Sequence, residues 1–271
     1  NDPDRFQGSV YQYANPSVSA ENSYIAGDSS QGYYGTTFEV EVNVPFKFDE
    51  TSPVYFDASF DKSSIGGIHS ANSASVNDYT WYGSDYANLQ MYLVNENSVS
   101  KTSYFKLTSS YLGINLTSST TFDNYDNSRW NVSVRFYHEK YPYAGIVAGG
   151  ASANYIIQFT GYKVVSDVII NSFNVTASID PALAANHFSS AKRLYVGAHR
   201  QNFTGSLLEN SDLRISSVRY WKTKLSDETL LEHARDPNNY GSENPLNKLI
   251  ASSFSDRKST RLNSSHVSES R

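Results

Sequence analysis

The chain has 271 residues with 22 Lys and Arg against 27 Asp and Glu, a net charge of −5, and no extended basic cluster. That balance argues against a nucleic-acid partner, and no run reaches the ~20 apolar residues that would insert in a membrane as a helix. Cysteine is absent, which removes disulfides, thiolate metal sites and cysteine nucleophiles together.

The apolar residues recur mostly with period two, the signature of half-buried strands. Phe38, Val40, Val42 and Val44 alternate with Glu39, Glu41 and Asn43, which predicts a strand with one wet face that Pro45 ends or places at an edge. Val54, Phe56 and Ala58 alternate with Tyr55 and Asp57, and Leu89 to Val94 and Tyr104 to Leu107 read as further strands. Trp130, Val132, Val134 and Phe136 share one face, with Asn131, Ser133, Arg135 and Tyr137 on the other. Tyr155 to Val165 and Val168 to Ile179 form a long pair broken at Ser166-Asp167, and Leu194 to Gly197 and Leu213 to Trp221 complete the set. Ser, Asn, Gly and Asp clusters separate the runs, as antiparallel turns require. About ten to twelve such strands predict an all-β fold, a two-sheet antiparallel jelly-roll sandwich. The 21 Tyr, 14 Phe and 3 Trp suit pleated surfaces and a large core.

One short C-terminal helix is expected. Ser226 is placed to cap Asp227 to Arg235, Asp227 and Glu228 complement the dipole of the first turn, and Pro237 stops it. Leu225, Thr229 and His233 recur at a spacing of four beside Leu230 and Ala234, a stripe able to dock on the sandwich.

The run Arg193 to His199, then Asn202 to Gly205, Leu213 to Trp221 and Leu225 to Glu228, resembles the end of a LamG-type domain of the concanavalin A-like lectin/glucanase superfamily. Trp130 to Val134 looks like that family's Trp-led central strand, and Thr37 to Val44 like its early strand. The phrase from Tyr220 through His233 to Gly241 is also similar to LamG-type modules in virion structural proteins of marine tailed phages. Residues 256–266 resemble the translation of a sequencing-library adapter, so 256–271 are expected to be an artefact and left out of fold reasoning. The expected organisation is a lead-in over 1–29, one sandwich over 30–241, and the start of a following segment over 242–255.

The resemblance implies that a glucanase on this sandwich would need two carboxylates on one strand. Glu39-Val40-Glu41-Val42-Asn43 comes nearest but lacks the central Asp, and its alternation reads as a solvent-facing amphipathic edge. No catalytic residue is therefore assigned and the chain is expected not to be an enzyme. Asp123, Asn124, Asp126 and Asn127 form an oxygen-rich loop whose candidate metal is calcium. His69, His187 and His199 show no two-His spacing of a zinc site, and Gly66-Gly67 lacks the lysine and helix of a phosphate loop.

Trp81, Tyr82, Asp85, Tyr86 and Asn88, with Tyr141, Tyr143, His199 and Arg200, are the candidate glycan contacts: aromatic faces stack on sugar rings while Asp and Asn bind hydroxyls. The sequence thus predicts a binding or structural module of a virion or extracellular surface protein, its partner a cell-surface glycan. The alternatives are a purely architectural sandwich contacting other virion subunits, and a glycoside hydrolase of the concanavalin A-like clan.

Overall fold

The computed structural model of the protein describes residues 35–45, 62–70, 89–96, 102–139, 155–180, 183–184, 187, 192–201, 206–221, 224–239, 241 and 260–261. In chain order the strands are β1 (Thr36–Asn43), β2 (Lys62–Ser70), β3 (Leu89–Asn95), β4 (Thr102–Ser109), β5 (Ile114–Thr117), β6 (Phe122–Asp123) and β7 (Arg129–His138). There follow β8 (Tyr155–Val165), β9 (Val168–Ile179), β10 (Lys192–Val196), β11 (His199–Arg200), β12 (Leu207–Glu209), β13 (Arg214–Trp221), the helix α1 (Asp227–Arg235) and β14 (Thr260–Arg261). Sheet A has the order β14-β13-β1-β7-β8-β9 and sheet B the order β10-β2-β3-β4-β5, with β6 on β4, while β11 and β12 make a separate ribbon. All the pairings are antiparallel. The all-β sandwich that the alternation predicts is the fold.

The period-two pattern builds the core directly. Phe38, Val40 and Val42 of β1 pair with Val134, Val132 and Trp130 of β7, and these inward side chains meet Ile65, Ile68, Leu89, Met91, Leu93, Phe105 and Leu107 from sheet B in one buried cluster. Ser166 and Asp167, where the long pattern breaks, both adopt positive φ (49° and 64°) between the paired residues Val165 and Val168. Two left-handed residues match the twist of the flanking strands, so the break is a two-residue hairpin turn.

The expected wet face of β1 is a correction. Strand β1 lies between β13 and β7 rather than at an edge, and Glu39 and Glu41 are only 1% and 5% exposed. The amphipathic helix supplies the cover: Leu230, Ala234, Thr229 and His233 are buried along it. Ser226 accepts from the Thr229 amide at 3.1 Å, and the Asp236 amide donates to the Glu232 carbonyl at 2.9 Å. Two arginines of β7 hold the helix at both ends. Arg135 donates to the Leu225 carbonyl at 3.0 Å and pairs with Asp227, and Arg129 donates to the Ala234 carbonyl at 2.7 Å. A cation at the last carbonyls and an anion in the first turn both oppose the helix dipole.

Strand β2 carries no alternating pattern in its sequence, KSSIGGIHS. Its glycines are set by close approach instead: a Cβ on Gly67 would strike the Leu89 carbonyl and, at 2.7 Å, the Tyr195 ring. The Val54–Ala58 strand lies outside the described residues. Thr260 and Arg261, within the segment set aside as adapter-like, pair with Tyr220 and Arg219 at the edge of sheet A.

Candidate functional site

Because side chains alternate along a strand, the core positions of sheet B leave Gln90, Tyr92 and Val94 of β3 and Lys106 and Thr108 of β4 on its outer face. With Lys62 of β2 and His199, Leu208 and Glu209 of the β11–β12 ribbon, they line a groove of about 270 Å³. The ribbon is tied over the sheet by three contacts. Lys62 Nζ lies 2.5 Å from Glu209 Oε1, the Ser64 amide donates to the Asn210 carbonyl at 2.8 Å, and the Gly197 amide donates to the Ile65 carbonyl at 2.9 Å.

Tyr92 is the centre of the groove. Lys106 stands directly opposite it on β4, and the Lys62 ammonium lies 4.8 Å from its ring centroid. Burial, and then the Glu209 carboxylate, push its phenol above the ordinary tyrosine range, so the hydroxyl keeps its proton at neutral pH. Lys106 has no carboxylate partner among the described residues, since Glu209 pairs with Lys62.

The wall behind Tyr92 is aromatic. The Tyr195 ring fills the space that Gly67 leaves by having no side chain. His199 stacks on it at 4.4 Å with planes 13° apart, and His199 Nε2 lies 3.0 Å from His69 Nε2. All three are at most 1% exposed.

Of the expected contacts, Trp81, Tyr82, Asp85, Tyr86, Asn88, Tyr141 and Tyr143 lie outside the described residues. His199 reaches the groove as a buried wall residue, while Arg200, the next residue on the short strand, is exposed and not among the groove's lining residues. Lys62, Gln90, Tyr92, Lys106 and Glu209 were not singled out from the sequence, where each is one polar residue in or beside an apolar run. The spacing signal for His69 and His199 is nil, since 130 residues separate them.

The oxygen-rich loop holds a cation of the protein's own. Lys163, 3% exposed, enters from β8 and its ammonium donates to the Asp123 carbonyl at 2.6 Å and to Asp126 Oδ2 at 2.7 Å. Burial raises the Asp126 carboxyl, but the bonds from Lys163 and Ser128 outweigh it and hold it below the ordinary range. Asn124 turns inward and donates to Ser103 Oγ at 2.8 Å, and the Asn127 carbonyl accepts from Asn43 at 2.8 Å. Among the described residues no group of three His, Asp or Glu is placed to hold a metal. Lys163→Met is expected to lower stability by about 1–3 kcal/mol in urea denaturation, because it strands a buried carbonyl. A melting temperature insensitive to a calcium chelator is the companion expectation.

The Glu39–Glu41 pair is also placed away from the groove. Glu39 accepts from His233 at 3.0 Å, Arg219 at 3.3 Å and Asn131 at 3.3 Å beneath the helix, and Glu41 accepts from Ser216 at 2.6 Å. Glu209 is the one carboxylate lining the groove among the described residues, so the two-carboxylate geometry of a glycoside hydrolase is not assembled there.

No family model and no curated protein matches the chain. Among solved structures it is similar to an alginate lyase from Pseudomonas aeruginosa, at 12% identity and a TM-score of 0.31, over 68% of this chain and 64% of that one. The chain therefore spans just under two thirds of that lyase's length. The matched protein is an enzyme, and on this finding the expectation of a non-enzymatic module is withdrawn. Neither the family models nor the curated proteins carry the LamG and phage-virion likenesses.

Proposed function

We propose that the outer face of sheet B binds a stretch of uronate-bearing polysaccharide, met at a cell or virion surface, and cleaves it by β-elimination. The observation that supports this reading is the placement of Tyr92 between two ammoniums, Lys106 across the strand pair and Lys62 over its ring. A polymer with a carboxylate on each sugar meets a complementary charge there, while the Tyr92 ring and Gln90 offer stacking and hydroxyl contacts.

The same groups suit the chemistry. Elimination moves the proton α to the uronate carboxylate to a base, forms a carbon–carbon double bond, and expels the neighbouring glycosidic oxygen, which takes a proton. Neutralising the carboxylate makes the α proton easier to remove, and a positioned acid assists the departing oxygen. Lys62 and Lys106 serve the first role, and His199 is the groove's candidate base. Tyr92, kept protonated by its surroundings, serves as the donor.

Alginate is the polymer to test, with a neutral β-glucan as the control. Lys106→Ala is expected to weaken alginate binding about tenfold, and added salt to weaken it further. Tyr92→Phe is expected to retain binding and to slow the appearance of unsaturated uronate absorbance by about 10²–10⁴-fold. No alginate binding would overturn the whole reading. Binding without unsaturated product would leave the anionic groove standing and overturn the elimination.

A further inference from the structure

We infer that the groove continues past Lys106 onto strand β5, where Thr108, Asn115 and Thr117 form a neutral, hydroxyl-binding subsite for the sugars next to those held by the two lysines. This subsite rests on the uronate reading of the groove. It adds a direction, away from the β11–β12 ribbon, and a second, uncharged mode of contact.

The register places the subsite. Gln90 of β3 stands opposite Thr108 of β4, and Thr108 opposite Asn115 of β5; Tyr92 stands opposite Lys106, and Lys106 opposite Thr117. Directly opposed residues share a face of the sheet. Two unbroken rows therefore cross it, Gln90–Thr108–Asn115 and Tyr92–Lys106–Thr117. In each row the first two residues line the groove and the third lies one strand further on. Neighbouring strands are about 4.8 Å apart, so each row spans about 10 Å. The intervening side chains take the other face: Leu107 and Ile114 are in the core and Leu116 packs against it.

Strand β5 is both open and fixed. It ends the order of sheet B among the described residues, and Asn115 and Thr117 are exposed. The ribbon is tied to β2, on the far side of the groove, by the Lys62–Glu209 pair and the Ser64 amide. A polymer chain held by Lys62 and Lys106 can therefore run on over β4 and β5. Just past β5, the Ser118 amide donates to the Phe105 carbonyl at 2.8 Å, and the Phe105 amide donates to Ser118 Oγ at 3.1 Å. A surface anchored in this way needs little reordering to meet a ligand.

The residue types decide what the subsite takes. The strand reads INLT and carries no charge. The Thr108 and Thr117 hydroxyls and the Asn115 amide each donate and accept, which suits sugar hydroxyls. The lysines thus meet the uronate charge and β5 meets the hydroxyls beyond it. Affinity from the lysines falls with added salt, whereas affinity from neutral hydrogen bonds does not.

Calorimetry with alginate oligosaccharides tests the subsite, in the Tyr92→Phe background so that the ligands stay intact. A hexasaccharide is expected to bind about tenfold more tightly than a disaccharide, and this ratio is expected to stay the same when salt weakens both. In Asn115→Ala/Thr117→Val the ratio is expected to fall below about twofold, while Thr117→Ser, which keeps the hydroxyl, retains it. A disaccharide that binds as well as the hexasaccharide would overturn the subsite and leave the groove reading standing. A ratio that survives in Asn115→Ala/Thr117→Val would overturn its placement on β5, and a ratio that shrinks with salt would overturn its neutral character. Binding of no oligosaccharide at any length would remove the subsite together with the groove reading. The length and salt series needs no change on β5, so it decides the matter even if the double variant fails to fold.

Discussion

Replacing Glu39 by Ala is expected to cost about 3–5 kcal/mol of stability, because it leaves the buried Arg219 guanidinium without its anion. Glu39 is 1% exposed beneath the helix and joins three elements: His233 of α1 donates to it at 3.0 Å, Arg219 of β13 at 3.3 Å and Asn131 of β7 at 3.3 Å. His233 is fixed from its other side as well, with Nε2 2.7 Å from the Gly241 carbonyl and its ring stacked 5.4 Å from Trp221. The imidazole of His233 thus bridges the strand below to the chain just past the helix. Removing Glu39 therefore leaves the buried Arg219 guanidinium without that carboxylate and the His233 and Asn131 side chains without their shared partner. The measurement is urea denaturation of Glu39→Ala against the unaltered chain, where an unchanged midpoint would show that the helix is held by its apolar stripe alone.

The same residue sets an acid limb of stability. Burial pushes the Glu39 carboxyl up, but the hydrogen bond and charge of His233, the charge of Arg219 and the Asn131 amide outweigh it and hold the carboxyl below its ordinary value. A carboxyl lowered in the folded state stabilises the fold fully above its unfolded value, near pH ~4.3, and loses that contribution as the pH falls through the depressed native one. Stability measured from pH 7 downward is expected to fall in that window. In Glu39→Gln, which cannot titrate, that part of the fall is expected to be missing.

Trp130→Ala is expected to cost a comparable amount, about 3–5 kcal/mol, for a different reason. Trp130 is fully buried at the centre of the sandwich, in contact with rings from both sheets: Phe105 at 4.7 Å, Phe122 at 5.0 Å and Phe173 at 6.0 Å. Phe173 in turn is stacked 4.9 Å from Phe105 and lies over Gly161, where a Cβ would collide with its ring. A cluster so interlocked collapses poorly onto a cavity, and the size of the loss reads how poorly. Loss of the cooperative transition in Trp130→Ala would place the cluster at the heart of the fold. A loss below about 1 kcal/mol would show that the neighbouring rings refill the space.

Much of the architecture was determined by the sequence itself. Strand β8 runs over the residues its pattern marks, β9 likewise, and the helix runs from the cap at Ser226 through Asp227–Arg235. These features are local: alternation, a turn pair at Ser166-Asp167, and a hydroxyl placed before two acids each act within a few residues. Strand β2 escaped because its glycines answer to Tyr195 and Leu89, residues distant in the chain. The wet face of β1 was misread for the same reason. Alternation tells which residues share a face of a sheet, not what covers that face, and here a helix some 190 residues away does so through the Glu39–His233 contact. The groove belongs wholly to the tertiary level. Lys62, Tyr92, Lys106 and Glu209 are ordinary polar positions along four strands, and His69 and His199 are solitary histidines, until the sheet order β2-β3-β4 and the ribbon folded over it line one groove with the first four and His199 and set His69 against His199.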